Sequence, residues 1–232
     1  MMTQRHLRSE LMDRPELDVS EHMQALGGLR RLNIVSGACR RLWREIFAHT
    51  GVQPGGRLRI LDVASGGGDI AVGLWALARR QSVELQILGL DISPTACAQA
   101  SQRCKPAGTS IVFQRTDVTS SALPKGFDVV TSSLFLHHLS REQAVTLLSE
   151  MGAAGKLLVV SDLRRSAAGY AVAHAACRIF TRSRIVRYDG PQSVANAFTH
   201  SEMVDLCREA CLSGATVRRA WPWRLMLIRQ GR

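Results

Sequence analysis

The chain has 232 residues, 46% hydrophobic and 21% charged, with a formal net charge of +11 at pH 7. This size fits one sizeable domain with an added arm, and the composition excludes a largely disordered chain. No apolar run reaches the ~18–20 residues that cross a bilayer, and no secretory signal is evident, so we expect a cytoplasmic protein. Almost all the positive charge is arginine, which fits either compositional drift or a basic face for nucleic acid, anionic lipid or an acidic substrate.

The six cysteines show no CxxC pair and no histidine at metal-ligand spacing. Cys97 and Cys104 are seven residues apart, and Cys207 and Cys211 are four apart, on helices that the pattern predicts. Both spacings are typical of positions that face a core. We therefore expect reduced, buried cysteines and no metal site.

The N-terminal part of the chain is predicted to form a helical arm, residues 1–50. Residues 18–50 have a helical pattern that is interrupted near 33–37. This arm either covers a ligand cleft or packs on the edge of a sheet. A loop at 52–56 separates it from the main domain, residues 51–232.

A glycine-rich turn follows the first predicted strand. Leu58–Val63 is a short run rich in branched residues, and Ala-Ser-Gly-Gly-Gly at 64–68 follows it. After Asp69 the apolar residues recur at helical spacing. Strand, tight turn and helix N-terminus together suit a nucleotide-like cofactor that needs close backbone approach. The turn lacks the G-x-G-x-x-G spacing of dinucleotide sites and the Gly-Lys-Ser/Thr of a P-loop.

Strands and helices alternate through the middle of the chain. Helices are predicted to start at Ser93-Pro94 and at Ser140, where Gln143 completes a capping box. This alternation predicts an α/β fold with a mainly parallel sheet. The further strands are predicted at 83–90, 110–115, 127–131 and 155–161.

Residues 163–198 interrupt that alternation and are predicted to form a helical insert after the fifth strand. An alanine-rich helix covers about 166–181, a basic run follows at 182–187, and Tyr188-Asp189-Gly190-Pro191 is predicted to be a turn. A helix at about 201–211 and an antiparallel pair of strands, 215–220 and 223–229, complete the chain.

Acidic residues end the second and third strands. A carboxylate at the end of the second strand, here Asp91, accepts the two ribose hydroxyls in nucleotide sites. Asp117 ends the third strand, where an adenine amino group can be received.

The ordered set ILDVASGGGD, LGLDIS, TDV and FDVVTSSLFLHHL resembles the class I S-adenosylmethionine-dependent methyltransferases, over about residues 57–229. The glycine turn is most similar to the methyltransferases of ubiquinone and menaquinone biosynthesis, which also have Ala in place of the first glycine. The resemblance implies a doubly wound, Rossmann-like, seven-stranded sheet of order 3-2-1-4-5-7-6 with the last strand antiparallel. It also implies S-adenosyl-L-methionine as cofactor and S-adenosyl-L-homocysteine as product.

The same resemblance implies a role for each motif residue. Asp62 helps to orient the methionine end through water, Asp91 binds the ribose, and Ile92 packs on the adenine. Asp117 and Val118 receive the adenine edge, and Ser133 and Leu134 line the methionine side. The full set of implied cofactor residues is Asp62, Ala64, Ser65, Gly66, Gly68, Asp69, Asp91, Ile92, Asp117, Val118, Ser133 and Leu134.

Two adjacent histidines follow the fourth strand. If the acceptor is a hydroxyl, a base must take its proton, and we expect His138 or His137 to do so, with a slight preference for His138. The alternative is structural, with one histidine at the helix cap and the other in the core. The insert is expected to border a hydrophobic or aromatic acceptor, with Arg164 and Tyr170 as substrate contacts.

The identity of the methyl acceptor is what the sequence constrains least. The quinone methyltransferases of the family have an Arg-Asn pair after strand four, where this chain has Phe135-Leu136-His137-His138. The leading hypothesis is O-methylation of a small hydrophobic or phenolic, polyketide-like metabolite. The alternatives are C-methylation of a quinone-type precursor, RNA methylation, and a non-catalytic cofactor-binding scaffold.

Expectations about partners follow from the same features. We do not expect a nucleic-acid partner, because the Asn/Asp-Pro-Pro-aromatic motif of base-amine methylation is absent. Weak contact with an anionic membrane surface is possible. The oligomeric state stays open between a monomer and a homodimer.

Overall fold

A computed structural model describes residues 4–14, 16–104 and 109–231; residues 1–3 and 15 of the predicted arm and residue 232 lie outside it. The helices are α1 (Val19–Val35), α2 (Ala38–Thr50), α3 (Asp69–Arg79), α4 (Pro94–Cys104), α5 (Arg141–Ala154), α6 (Ala167–Phe180), α7 (Arg184–Asn196) and α8 (His200–Glu209). The strands are β1 (Arg57–Val63), β2 (Glu84–Asp91), β3 (Ile111–Arg115), β4 (Phe127–Ser133), β5 (Gly155–Leu163), β6 (Thr216–Ala220) and β7 (Arg224–Gln230).

The seven strands form one sheet in the order β3-β2-β1-β4-β5-β7-β6, as predicted. Strand β1 pairs in parallel with β2 on one side and with β4 on the other. The last strand, β7, is antiparallel to β5 and β6. The strand order reverses direction next to β1, and ligands of open α/β sheets bind beside such a reversal, at the carboxyl ends of the strands.

Two apolar layers cover the sheet, which explains why its central strands are almost continuously hydrophobic. Leu61, Val130 and Leu158 point to the layer that includes residues of α5 and α8. Ile60, Val129 and Val159 point to the opposite layer, which includes residues of α2 and α3. These layers hold the carboxyl ends of β1, β4 and β5 in fixed positions.

The N-terminal arm divides into two parts with different contacts. Its predicted break lies at Ser36-Gly37, where Gly37 has φ +65° and begins α2. Helix α2 packs through Leu42 and Ile46 on the sheet. Helix α1 instead contacts α4, α6 and α7.

The turn predicted at 188–191 is wrong, because α7 continues through it to Asn196. Ser183 caps this helix, and Ile185, Val186 and Val194 are buried. The Asp189 carboxylate accepts the N–H groups of Leu11 and Met12 in place of a local turn bond. Tertiary packing therefore outweighs the helix-breaking tendency of Gly190-Pro191.

The cysteines are free, as predicted. Cys97, Cys104, Cys177 and Cys207 are buried, and Cys39 is half-buried. The prediction that Cys211 is buried is wrong. Helix α8 ends at Glu209, so Cys211 lies beyond the helix and is exposed. Among the described residues no helix has the length and apolar content needed to cross a bilayer.

Candidate functional site

The glycine turn after β1 lies at the carboxyl edge of the sheet. Ala64, Gly66 and Gly68 all have left-handed φ values, of 57°, 52° and 72°. A Cβ on Gly68 would meet Phe113 and Ala100 at less than 3 Å, whereas a Cβ on Gly66 would meet nothing within 4 Å. Packing therefore requires glycine at 68, and the open side of Gly66 is available to a ligand.

Asp62 lies beneath this turn and has an unpaired oxygen. Its side chain is 1% exposed, and its Oδ2 has no hydrogen-bond partner among the described residues. Burial, followed by the charges of Asp69 and Asp91, raises the pKa of Asp62 to about 8. A cationic or hydrogen-bonding ligand group would relieve this cost.

Other hydroxyls near the carboxyl ends of β1 and β4 are also buried without a partner in the described part of the chain. They belong to Ser65, Thr131, Ser132 and Ser133. Buried polar groups in folded proteins are nearly always paired, and an unpaired one costs about 1–3 kcal/mol. The unpaired atoms, together with the open side of Gly66, fit the polar methionine end of the cofactor implied by the sequence.

Asp91 connects the turn to the second strand. Its Oδ2 accepts the Gly66 N–H at 2.7 Å, and its Oδ1 accepts the Ser93 N–H at 2.9 Å. Burial raises the pKa of Asp91 despite these two hydrogen bonds. Each carboxylate oxygen keeps another lone pair, so Asp91 can still accept ribose hydroxyls. Ile92 beside it is 60% exposed, which leaves an apolar surface open to a flat ring.

Asp117 mainly stabilises its own turn. Its Oδ1 accepts from the backbone and hydroxyl of Thr119, and its Oδ2 accepts from the Ser120 hydroxyl. These hydrogen bonds lower the pKa of Asp117. The Val118 side chain lies in the core. Both residues follow β3, and their contact with an adenine ring stays a prediction.

Ser133 and Leu134 lie at the end of β4, next to β1 in the sheet. Leu134 has φ +60°, and its N–H donates to the Ser161 carbonyl at 3.0 Å. The structure thus places the predicted methionine-side residues at the same edge as the glycine turn.

Helix α1 is attached to the glycine turn by contacts that the sequence did not predict. The Asn33 amide donates to Asp69 Oδ2 at 2.8 Å, and Arg224 donates to Asn33 Oδ1 at 3.2 Å. From α4, Arg103 donates to the Gly67 carbonyl at 2.8 Å. No local sequence signal identifies these partners, because each is at least 36 residues from the group it contacts.

The two predicted histidines have different surroundings. His137 is 2% exposed, its Nδ1 lies 2.7 Å from Asp162 Oδ1, and its backbone N–H donates to Asp162 Oδ2. Burial alone would raise the pKa of Asp162, but the charge and hydrogen bond of His137 hold it below its ordinary value. Asp162 is therefore a carboxylate that orients the His137 ring.

His138 forms its pair with the N-terminal segment, residues 4–14. Its Nδ1 lies 2.9 Å from Asp13 Oδ2, and its Nε2 lies 3.9 Å from Glu10 Oε2. Burial alone would lower the pKa of His138, but the Asp13 hydrogen bond and the Glu10 charge raise it to about 9. His138 is therefore charged at neutral pH and has no free lone pair to take a proton.

Glu10 lies against both imidazoles. Its Oε1 is 3.6 Å from His137 Nε2, beyond hydrogen-bond distance, and accepts the Ser193 hydroxyl at 2.7 Å. One ligand atom each from Glu10, His137 and His138 lie within 4.8 Å of one another, so these three could hold a metal ion once the His138 ring gives up a proton. Asp162 and Asp13 hold the other ring nitrogens, as carboxylates do around metal-bound histidines.

Glu10, Asp13 and Asp162 were not predicted from the sequence. Glu10 and Asp13 have no local signal, since they lie about 125 residues before the histidines. Asp162 had one, because it lies near the carboxyl end of β5, as Asp62 and Asp91 do on their strands.

The two predicted substrate residues lie in different settings. Arg164 directly follows β5; its N–H donates to the Trp223 carbonyl, and its Nε is buried without a hydrogen-bond partner among the described residues. Tyr170 lies in the first half of α6, exposed and stacked on His174. Arg164 thus lies at the carboxyl edge of the sheet, and Tyr170 is on the surface of the insert.

A cavity of about 650 Å³ opens at the opposite edge of the sheet, lined in part by Phe127, Gly155 and Lys156. These residues begin β4 and β5, whereas the groups described above lie at the carboxyl ends. The cavity is therefore separate from the candidate site.

Comparisons with known proteins match the cofactor half of the chain. A family model described as a methyltransferase domain matches residues 60–156. A demethylmenaquinone methyltransferase of Thermus thermophilus is 32% identical over 106 residues, 45% of this chain and 46% of that protein. A ribosomal protein L11 methyltransferase of Geobacter sulfurreducens is 31% identical over 101 residues, 44% of this chain and 31% of that protein.

Among solved structures, human N-acetylserotonin methyltransferase in complex with S-adenosylmethionine superposes with a TM-score of 0.64 at 17% identity. The match covers 93% of this chain and 57% of the human one. At that identity the likeness shows the fold. The chain spans less than half the length of the curated relatives it matches. The family match runs from β1 to the start of β5, so it includes neither the N-terminal segment nor α6 and α7.

Proposed function

We propose that this chain, which belongs to the class I S-adenosylmethionine-dependent methyltransferases, methylates an oxygen of a small hydrophobic or phenolic, polyketide-like metabolite. The observation that carries the oxygen assignment is the Asp162–His137 pair, next in sequence to the Ser133-Leu134 turn. The bound cofactor supplies an electrophilic methyl group on its sulfonium. The protein's part is to align the acceptor, exclude water and take a proton.

The cofactor would be held by the residues that the sequence implied. Asp62 and the unpaired serine hydroxyls receive the methionine end, and Asp91 receives the ribose. Asp117 and Val118 border the adenine edge, opposite the apolar surface of Ile92. The same residues would release S-adenosyl-L-homocysteine after methyl transfer.

His137 is the better of the two histidines as the base. Asp162 lies against Nδ1, so the neutral form of the ring would carry its proton there and present the Nε2 lone pair. His138 is charged through Asp13 and is better suited to stabilise the oxyanion that forms as the acceptor loses its proton. Because Glu10 covers Nε2 in this structure, the proposal requires residues 4–14 to shift when the acceptor enters.

The acceptor side would be bordered by the arm, residues 1–50, and by the insert, residues 163–198. Phe135 stacks beside His138 at 6.0 Å and offers an aromatic surface. The unpaired Nε of Arg164 offers a hydrogen bond to a polar substituent. This combination supports an apolar, aromatic acceptor with one polar group.

The test is transfer of isotopically labelled methyl from S-adenosylmethionine to phenolic and polyketide-type acceptors, with products identified by mass spectrometry. We expect O-methyl products and production of S-adenosylhomocysteine in equal amounts. Products methylated only on nitrogen would contradict the oxygen assignment. Carbon methylation of a quinone-type precursor would support the second reaction class instead.

An RNA acceptor and a non-catalytic role would each give a distinct outcome. Salt-sensitive binding of tRNA together with methylated RNA would support an RNA enzyme. Cofactor binding without turnover on any extract of small molecules would support a scaffold.

A metal-assisted reaction is a second candidate, favoured by the proximity of Glu10, His137 and His138. Two imidazoles and a carboxylate are ligands that Zn²⁺ accepts. Chelation followed by readdition of Zn²⁺ separates the two mechanisms. Loss and recovery of activity would support the metal, and unchanged activity would support His137 acting alone.

A further inference from the structure

Helix α6 has an apolar face that is turned to solvent. Only Gly169 and Cys177 of this helix are buried, where it packs against α1 and α7. Its exposed residues recur at the spacing of a helix face that normally packs against a core. This stripe, called the α6 stripe below, consists of Ala168, Ala171, Val172, Ala175 and Ile179.

The α6 stripe is continued by other large exposed side chains. Ile179 is 74% exposed, and Phe180 follows it at the end of the helix. The turn between β6 and β7 packs on the first turn of α6, because Trp223 lies against Gly169. That turn also carries Trp221, which is 68% exposed. Tryptophan prefers the boundary between water and hydrocarbon.

The segment that carries the stripe has charged side chains of a single sign. Residues 163–188 contain six arginines and no carboxylate. Arg178, Arg182 and Arg184 are exposed, and none of them forms an ion pair with a carboxylate in the described part of the chain. The first acidic residue after this stretch, Asp189, is buried and held by the N–H groups of Leu11 and Met12.

We propose that the α6 stripe and its arginines dock this protein on an anionic lipid bilayer, with α6 lying in the plane of the interface. An exposed apolar helix face flanked by arginines is the pattern of interfacial helices, and each nearby arginine adds attraction to an anionic surface. A second copy fits less well, since a two-fold contact through this face would place the arginines of the two copies against each other. The docking does not depend on the identity of the methyl acceptor.

The test is co-sedimentation of the full chain with vesicles of phosphatidylcholine containing phosphatidylglycerol, and with vesicles of phosphatidylcholine alone. We expect binding to the anionic vesicles that weakens as salt is raised, and little binding to the neutral ones. Ile179→Glu should lower the partition coefficient between vesicles and water by about tenfold or more. The reason is that it puts a charge in place of apolar area that docking would bury in the bilayer. The matched control is Val112→Glu, at a 63% exposed valine of β3, which should bind as the wild type does.

A second pair of variants tests the charge. Arg182→Glu with Arg184→Glu should weaken binding at low salt by about tenfold or more, while Arg80→Glu, an exposed arginine after α3, should change it much less. Three results would overturn the proposal: no binding by the wild type, equal loss in Ile179→Glu and Val112→Glu, or dimerisation that Ile179→Glu abolishes without any vesicle binding. If the protein bound tRNA instead, and Ile179→Glu bound it equally well, the arginines would be a nucleic-acid contact and the lipid proposal would be wrong.

Discussion

The glycine-turn edge and the histidine pair differ in how their polar atoms are paired. At the first, Asp62 Oδ2 and the Ser65 hydroxyl are buried without a partner in the described chain. At the second, each imidazole is paired with a carboxylate, Asp162 for His137 and Asp13 for His138. The first edge is thus prepared for a ligand, whereas the second is closed by the protein's own N-terminal segment. Substitutions at the two places should therefore affect binding and turnover separately.

The largest expected effect is on the histidine side. His137→Ala should reduce kcat by about 10²–10⁴-fold, the usual contribution of a positioned base, and leave cofactor affinity unchanged. The matched control is His200→Ala, whose ring contacts the Val217 carbonyl on another part of the fold. Steady-state kinetics and calorimetric titration check the two quantities. Retained kcat in His137→Ala would contradict its role as base.

The next effect concerns Asp62 on the glycine-turn edge. Asp62→Asn should weaken cofactor binding by about tenfold, since the carboxylate that orients the methionine end through water is lost. The folded-state pKa of Asp62, about 8, lies above its ordinary value of 3.8, so its ionisation costs stability as pH rises through this interval. Removing the group should raise the free energy of unfolding at pH 8 by up to about 5 kcal/mol and should not raise it at pH 4.

Denaturant unfolding of the ligand-free protein at both pH values checks this second part. The control is Asp205→Asn, at a half-exposed residue that forms an ion pair with Arg208. A variant that lost both affinity and stability at pH 8 would mean that Asp62 has a structural partner.

The smallest expected effect is on the free energy of unfolding, at the contact between the N-terminal segment and His138. The pKa of His138, about 9, lies above its ordinary value of 6.5. This pairing therefore stabilises the fold fully below about pH 6.5 and is lost as pH rises through about 9. Asp13→Asn should lower the free energy of unfolding by about 1 kcal/mol at pH 6, because Asp13 is half-exposed and partly screened. Equal destabilisation at pH 6 and pH 10 would show that the pairing is not what Asp13 contributes.

The same two regions differ in how far sequence could predict them. The glycine-turn edge is built from groups next to strand ends, so motif order alone located Asp62, Gly66 and Asp91. The contacts of the histidines come from residues about 125 positions away, and no local pattern connects Glu10 or Asp13 to them. A distant contact also explains why the turn prediction at 188–191 failed. Asp189 binds the N-terminal segment, and this packing keeps α7 helical through the Gly-Pro pair.

Binding at the glycine turn tests the central assignment most directly, by calorimetric titration of S-adenosylhomocysteine into wild type, Gly66→Val and Gly214→Val. Both glycines have left-handed φ values and open space at Cβ, so the two variants carry similar backbone strain. We expect Gly66→Val to stay folded and lose binding by at least about 100-fold, roughly 2.7 kcal/mol, while Gly214→Val binds normally. Normal affinity in Gly66→Val would contradict the placement of the cofactor at this turn.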